Sequence, residues 1–87
     1  NEIFYYSNHA ECDFVIVKNR KVTHAIQVCY ELNEESRERE ILGITEAMEK
    51  FNLKEGLILT KNQEEEIKSE GKKIVIKPVW KWLLEQK

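Results

Sequence analysis

Proline and glycine are scarce in this 87-residue chain, at one and three. That excludes collagen-like and Pro/Gly-rich disordered classes. The two cysteines, Cys12 and Cys29, are too few for a disulfide scaffold and lie within apolar runs, as thiols of a reducing compartment do. No run approaches the roughly 20 apolar residues of a membrane span, and no signal peptide is visible. The expected location is the cytoplasm, with no membrane partner. The chain begins at Asn1, so the expectation is an upstream part that has been removed. A strong excess of one charge is also absent. Fourteen basic and 16 acidic residues give a net charge of −2, which argues against a broad nucleic-acid-binding surface.

What is present suits one small domain over residues 1–87. A chain of this size buries only about 60–65% of the surface exposed on unfolding, so its core must be well filled or shared. Charge is uneven along the chain. Residues 1–53 hold 6 bases and 10 acids, and residues 54–87 hold 8 bases and 6 acids. Lys68, Lys72, Lys73, Lys77 and Lys81 make a mildly basic end, most simply a solvated face of mixed charge.

The apolar pattern orders the elements. Ile3-Phe4-Tyr5-Tyr6 reads as a short strand, and residues 7–9 as a turn. Residues 12–18 form a continuous apolar run, which predicts a strand buried on both faces. The polar turn 18–21 makes a hairpin with a third strand over residues 22–31. Asn33 is a helix N-cap followed by Glu34 and Glu35. Ile41, Ile44, Met48 and Phe51 then recur at helical spacing over residues 34–52. Asn52 can terminate that helix, and Gly56 allows the turn after it. Leu57-Ile58-Leu59-Thr60 is a strand reached through a helix, which implies a parallel pair. Residues 64–77 hold a hairpin or excursion ending in a last strand. Pro78 fits the first turn of a final helix carrying Val79, Trp80, Trp82, Leu83 and Leu84. The fold class is α/β, a small mixed sheet with flanking helices.

The chemistry concentrates in the second and third strands. Side chains alternate along a strand, so Glu11 and Asp13 share one side, and Gln27 and Cys29 share one side. A hairpin register that sets Asp13 beside Gln27 makes all four converge. The layout is that of a metal-dependent nuclease site, in which two carboxylates hold Mg²⁺ and a lysine orients the attacking water and stabilises charge. Here Asp13 brings one carboxylate, Gln27 a neutral carbonyl, and Cys29 a thiol in the lysine's place. Glu11 partly compensates as a second acid. Lys18 and Lys21 stand too far along the strands to replace the lysine. Spacing alone favours a plainer arrangement, with Asp13 as a strand-end acid satisfied by turn amides and Gln27 and Cys29 as packing.

Residues Glu11-Cys12-Asp13-Phe14-Val15-Ile16, Ala25-Ile26-Gln27-Val28-Cys29-Tyr30-Glu31-Leu32, Arg37-Glu38-Arg39-Glu40-Ile41, Leu57-Ile58-Leu59-Thr60 and Ile76-Lys77-Pro78-Val79-Trp80-Lys81-Trp82-Leu83-Leu84 together resemble a known family. It is the C-terminal domain of unknown function of prokaryotic, especially archaeal, AAA-type ATPases, similar to the restriction-endonuclease-like PD-(D/E)xK superfamily. The resemblance covers nearly the whole chain. It implies a restriction-endonuclease-like fold that here lacks the N-terminal helix, so the chain is the C-terminal piece of a larger ATPase. It makes Asp13 the first metal-binding acid, Gln27 the second and Cys29 the lysine position, the last two departing from the active pattern. The implied function is that of a degenerate nuclease-like accessory domain that serves its ATPase by binding protein or DNA. The alternative is a Mg²⁺- or Mn²⁺-dependent DNA endonuclease using Glu11 and Asp13, with Gln27 as a neutral ligand. An uncovered sheet would leave an apolar patch, relieved by a homodimer or by the upstream helix.

Two other constellations weigh less. His9, Cys12, His24 and Cys29 are zinc-type ligands at no common zinc spacing. Trp80 and Trp82 are able to stack on bases, but at a helix start they fit core or docking surface better.

Overall fold

The computed structural model describes residues 2–5 and 14–85. Its elements run β1 (Glu2–Tyr5), β2 (Phe14–Lys18), β3 (Lys21–Val28), α1 (Glu34–Lys50), β4 (Glu55–Thr60), β5 (Glu65–Ser69), β6 (Lys72–Pro78) and α2 (Val79–Glu85). The six strands form one sheet in the order β1-β2-β3-β4-β6-β5. β1, β2 and β3 are an antiparallel meander. β3, β4 and β6 run parallel, and β5 adds antiparallel to the outer side of β6. The expected mixed α/β sheet, with a helix crossover between parallel strands, is therefore the architecture observed.

Local chemistry accounts for the joints. Asn19 and Arg20 at φ 54° and 65°, and Glu70 and Gly71 at 51° and 78°, supply the paired left-handed residues that tight hairpins need. Asn33 Oδ1 accepts from the Glu35 and Ser36 amides at 2.9 Å each, while Ser36 Oγ accepts from the Asn33 amide at 3.1 Å. This reciprocal cap fixes the start of α1. The helix stops at Lys50, two residues before the predicted end, because Asn52 is left-handed at φ 56°. The Leu53 amide then reaches back to the Met48 carbonyl at 2.7 Å, closing the end.

α1 covers one sheet face. Its fully buried Ile44, Ala47 and Met48 pack with Ala25, Ile58, Ile74 and Ile76. Gly56 is not the post-helix turn that the sequence suggested. It lies inside β4, and a Cβ there would come within 2.7 Å of Ile44 Cγ1 and Met48 Sδ. The missing side chain is what lets the helix sit down on the sheet.

Among the described residues the other face carries only α2, none of whose residues is buried. β2 is accordingly not buried on both faces. Val15 is buried toward α1, but Phe14 stays 36% exposed. Ile3 and Val28 remain exposed as well. Pro78 ends β6, paired with Thr60, rather than opening the final helix. β3 ends at Val28, three residues short of the expected limit.

Replacing Gly56 by alanine is expected to destabilise the chain by about 1–3 kcal/mol, the usual cost of overpacking a filled core. Urea unfolding measures it, and an unchanged midpoint would show that α1 can lift freely from β4.

Candidate functional site

In β3, Ala25 and Gln27 point toward α1, and Ile26 and Val28 point away. Gln27 lies beside Ile58 of the parallel neighbour and is 1% exposed. Its Nε2 donates twice to one residue, to the Glu40 main-chain oxygen at 3.1 Å and to the Glu40 carboxylate Oε1. Glu40 is itself buried, and its Oε2 stands 3.6 Å from Arg39 Nε. Gln27 Oε1 is buried and has no hydrogen-bond partner among the described residues. Leaving a buried acceptor unmet costs about 1–3 kcal/mol, so such an atom in a native interior calls for an explanation.

Cys29 follows two residues later, on the same side as Gln27, as alternation predicts. It packs against the α1-side core. Its Sγ donates to the Glu31 carbonyl at 3.4 Å and its amide to the Leu59 carbonyl at 2.9 Å. The segment beyond it is pinned by Gln63. Gln63 Oε1 accepts from the Leu32 amide at 2.6 Å, and its Nε2 donates to the Leu32 carbonyl at 2.9 Å. Buried Thr60 exchanges hydrogen bonds with the Gln63 backbone at 2.9 and 3.0 Å. The carboxyl ends of β3 and β4 thus meet in a cross-linked rim. Tyr30 stands on it, with the Lys61 ammonium 5.3 Å from its ring centre.

The structure therefore brings together Gln27 and Cys29 of the predicted site. Asp13 and Glu11 lie outside the described residues, as do His9 and Cys12 of the zinc alternative. The β2–β3 ladder is described as far as Phe14 opposite Ile26, one step short of Asp13. Lys18 and Lys21 pair across the hairpin turn at the far end of β3, roughly 20 Å from Gln27 at about 3.3 Å per residue. His24 lines the face opposite Cys29, so those two do not share a site. Among the described residues no three His, Cys, Asp or Glu side chains cluster as a metal site.

Sequence reasoning missed Glu40, which reads as part of a solvated charged run. Its signal was its place on the apolar stripe, four residues before Ile44 and seven before Ala47. The unpartnered oxygen here is the neutral Gln27 carbonyl, and the two Glu40 carboxylate oxygens face the Gln27 amide hydrogens and Arg39 instead.

A hollow of about 510 Å³ lies elsewhere, on the face away from α1 between His24, Lys73, Lys77 and Trp82. Its lysines are matched by acids: Lys73 by Glu55 and Glu66, Lys77 by Glu85 at 2.6 Å. Beside it, Glu64 hydrogen-bonds Lys81 and holds that exposed ammonium above its ordinary range. Next to it, Ile3, Phe14, Ile26, Val28, Leu59 and Trp82 line an apolar cleft of about 170 Å³. Trp82 is half-buried there, whereas Trp80 is 54% exposed.

No family model matches the chain, and no solved structure matches it. It is 41% identical to an uncharacterized protein of the archaeon Methanocaldococcus jannaschii, over 97% of this chain. The chain spans 20% of that relative's length. Among the described residues no helix is long and apolar enough to cross a membrane.

Glu40→Ala is expected to cost about 1–3 kcal/mol, because it strands the buried Gln27 amide hydrogen that the carboxylate accepts. Chemical denaturation checks this, and a loss below about 0.5 kcal/mol would mean that the amide finds water.

Proposed function

We propose that the chain is a nuclease-like domain of the PD-(D/E)xK type that acts within an AAA-type ATPase by binding rather than by cutting. The observation that carries this reading is the pair at positions 27 and 29. The place of the second metal-binding acid holds a neutral amide, with both its hydrogens given to Glu40. The place of the lysine holds a thiol that donates to the Glu31 carbonyl. Phosphodiester hydrolysis develops negative charge that a fixed ammonium stabilises, and a thiol brings no such charge. The reading requires the β2–β3 ladder to continue by one step, so that Asp13 faces Gln27.

The order β-β-β-α-β-β-β-α, with α1 crossing between parallel β3 and β4, supports the fold part of the reading. The archaeal relative is long enough to carry a further module, which supports the ATPase part. For the ligand, protein is favoured over DNA. The chain is close to neutral, the face away from α1 exposes Ile3, Phe14 and Val28, and α2 exposes Val79, Trp80, Leu83 and Leu84. Apolar surface of that extent marks a contact surface. The isolated chain is expected to use it on a second copy and self-associate at high concentration. Sedimentation equilibrium showing a strictly monomeric chain would remove this support.

One observation favours the endonuclease that uses Glu11 and Asp13, namely the unmet Gln27 carbonyl, which a catalytic ion would satisfy. Cleavage decides between the two readings. Linear, nicked and branched DNA are incubated with the full-length protein and Mg²⁺ or Mn²⁺, beside an Asp13→Ala variant. No cleavage above the variant is expected. Metal-dependent cleavage that disappears in Asp13→Ala would replace the binding reading with the endonuclease.

A further inference from the structure

We infer that the chain pairs with a second copy of itself through a reciprocal contact, in which Trp80 of each copy enters the apolar cleft beside Trp82 of the other. The inference rests on the reading of this face as a protein-contact surface and names the contact.

Helix geometry sets the knob. Trp80 and Trp82 stand two residues apart on α2, so they project about 200° apart around its axis. Trp82 turns to the sheet and walls the cleft. Lys81 and Glu85 point the same way, to Glu64 and Lys77. Trp80 therefore faces outward and is 54% exposed, with Leu83 and Leu84 beside it at helical spacing. The usual amphipathic arrangement is reversed. The side of α2 toward its own sheet carries two ion-paired groups around a single tryptophan, and the outer side carries Trp80, Leu83 and Leu84, all exposed. An outer side of that composition fits burial against another protein surface.

Strand alternation sets the hole. Phe14, Ile26, Val28 and Leu59 point away from α1 and, with Ile3 and Trp82, line about 170 Å³ without one polar side chain. An apolar cavity of about 150 Å³ takes a benzene ring, so the cleft has room for one aromatic side chain. Knob and hole lie on the same side of the sheet. The cleft opens on the face that carries α2, and Trp80 is on the outer side of α2. A twofold axis through that face presents each Trp80 to the other copy's cleft at once. Such an isologous contact closes at two copies.

Charge and area select a second copy as the occupant. In a twofold contact each face meets its own duplicate, so a charged face would repel its mate. Here Lys73 is matched by Glu55 and Glu66, Lys77 by Glu85, and Lys81 by Glu64. Two such faces approach with little repulsion, and neither draws a strongly charged partner. The exposed apolar side chains of α2 and of the sheet face together offer on the order of 600 Å² per copy, taking roughly 150–250 Å² for a whole aromatic side chain. That is a little less than the roughly 800 Å² that each partner gives a stable interface. Pairing is therefore weak and needs high concentration.

The test is sedimentation equilibrium of the 87-residue chain over a wide concentration range, with two variants at exposed positions. Trp80→Ser removes the knob, and Val28→Glu puts a charge in the hole. The wild type is expected to reach dimers and no larger species. Each variant is expected to weaken the dimer at least about 30-fold, the effect of losing one hot-spot aromatic contact. An equimolar mixture of the two is expected to associate more tightly than either alone, because only the mixed dimer keeps one intact contact. Circular dichroism separates loss of pairing from loss of fold, and Ile3→Glu on the same cleft replaces Val28→Glu if that variant unfolds. Undiminished dimers of either variant, or variants that do not complement on mixing, overturn the reciprocal contact and leave the protein-contact reading standing. Growth into long assemblies overturns it too, since knob and hole would then share no twofold. A chain that stays monomeric throughout overturns the inference, removes the support that self-association gives that reading, and assigns the cleft and Trp80 to a different protein.

Discussion

Among the described residues one helix, α1, covers the middle of one face of a six-stranded sheet, and the rest of the molecule follows from how closely it can approach. α1 seats its buried Ile44, Ala47 and Met48 over the middle of the sheet, where β4 offers Gly56 in place of a side chain. That contact brings the first half of the helix over β3. Any residue of α1 facing inward there must meet the end of β3. The residue is Glu40 and what it meets is Gln27. The polar pair is thus placed by the same packing that makes the core. A carboxylate in this position is tolerable only because Gln27 and Arg39 address its two oxygens, since an unpaired buried charge would strongly oppose folding.

Much of this was legible because it is written locally. Asn33 with the acids after it marks a helix start by a mechanism that acts within three residues. The hairpins at residues 18–21 and 69–72 are fixed by turn chemistry, and alternation alone puts Gln27 and Cys29 on one side. The parallel β3–β4 pair followed from a strand, a helix and a strand in sequence. The remainder depends on partners far along the chain. Gly56 looks like a loop residue until the helix packed on it is known. Glu40 looks solvated until its neighbour 13 residues earlier is known. The run in β2 looks doubly buried, but whether a strand's second face is covered depends on what lies across the sheet, and among the described residues only short α2 lies there.

The two faces divide the chemistry. The α1 face buries Gln27 and Glu40 among apolar side chains. The opposite face mixes an apolar cleft with a hollow in which ammoniums and carboxylates largely cancel. Nucleic acid is held chiefly by uncompensated positive charge, through counterion release. Lysines already neutralised by glutamates contribute little to that, and each would have to leave its partner first. Apolar surface gains by meeting any apolar partner. The same face therefore offers apolar area and little uncompensated positive charge.

The backbone hydrogen bonds at the ends of β3 and β4 do not depend on the side chains at positions 27 and 29. The Cys29 amide reaches Leu59, and the Lys61 amide reaches Tyr30. The sheet and the position of α1 require no charge at either position. Glu40 does require a donor, and an amide at position 27 supplies two hydrogens where a second carboxylate would supply only repulsion. Once α1 carries an inward acid, glutamine at 27 is the residue that keeps the helix seated.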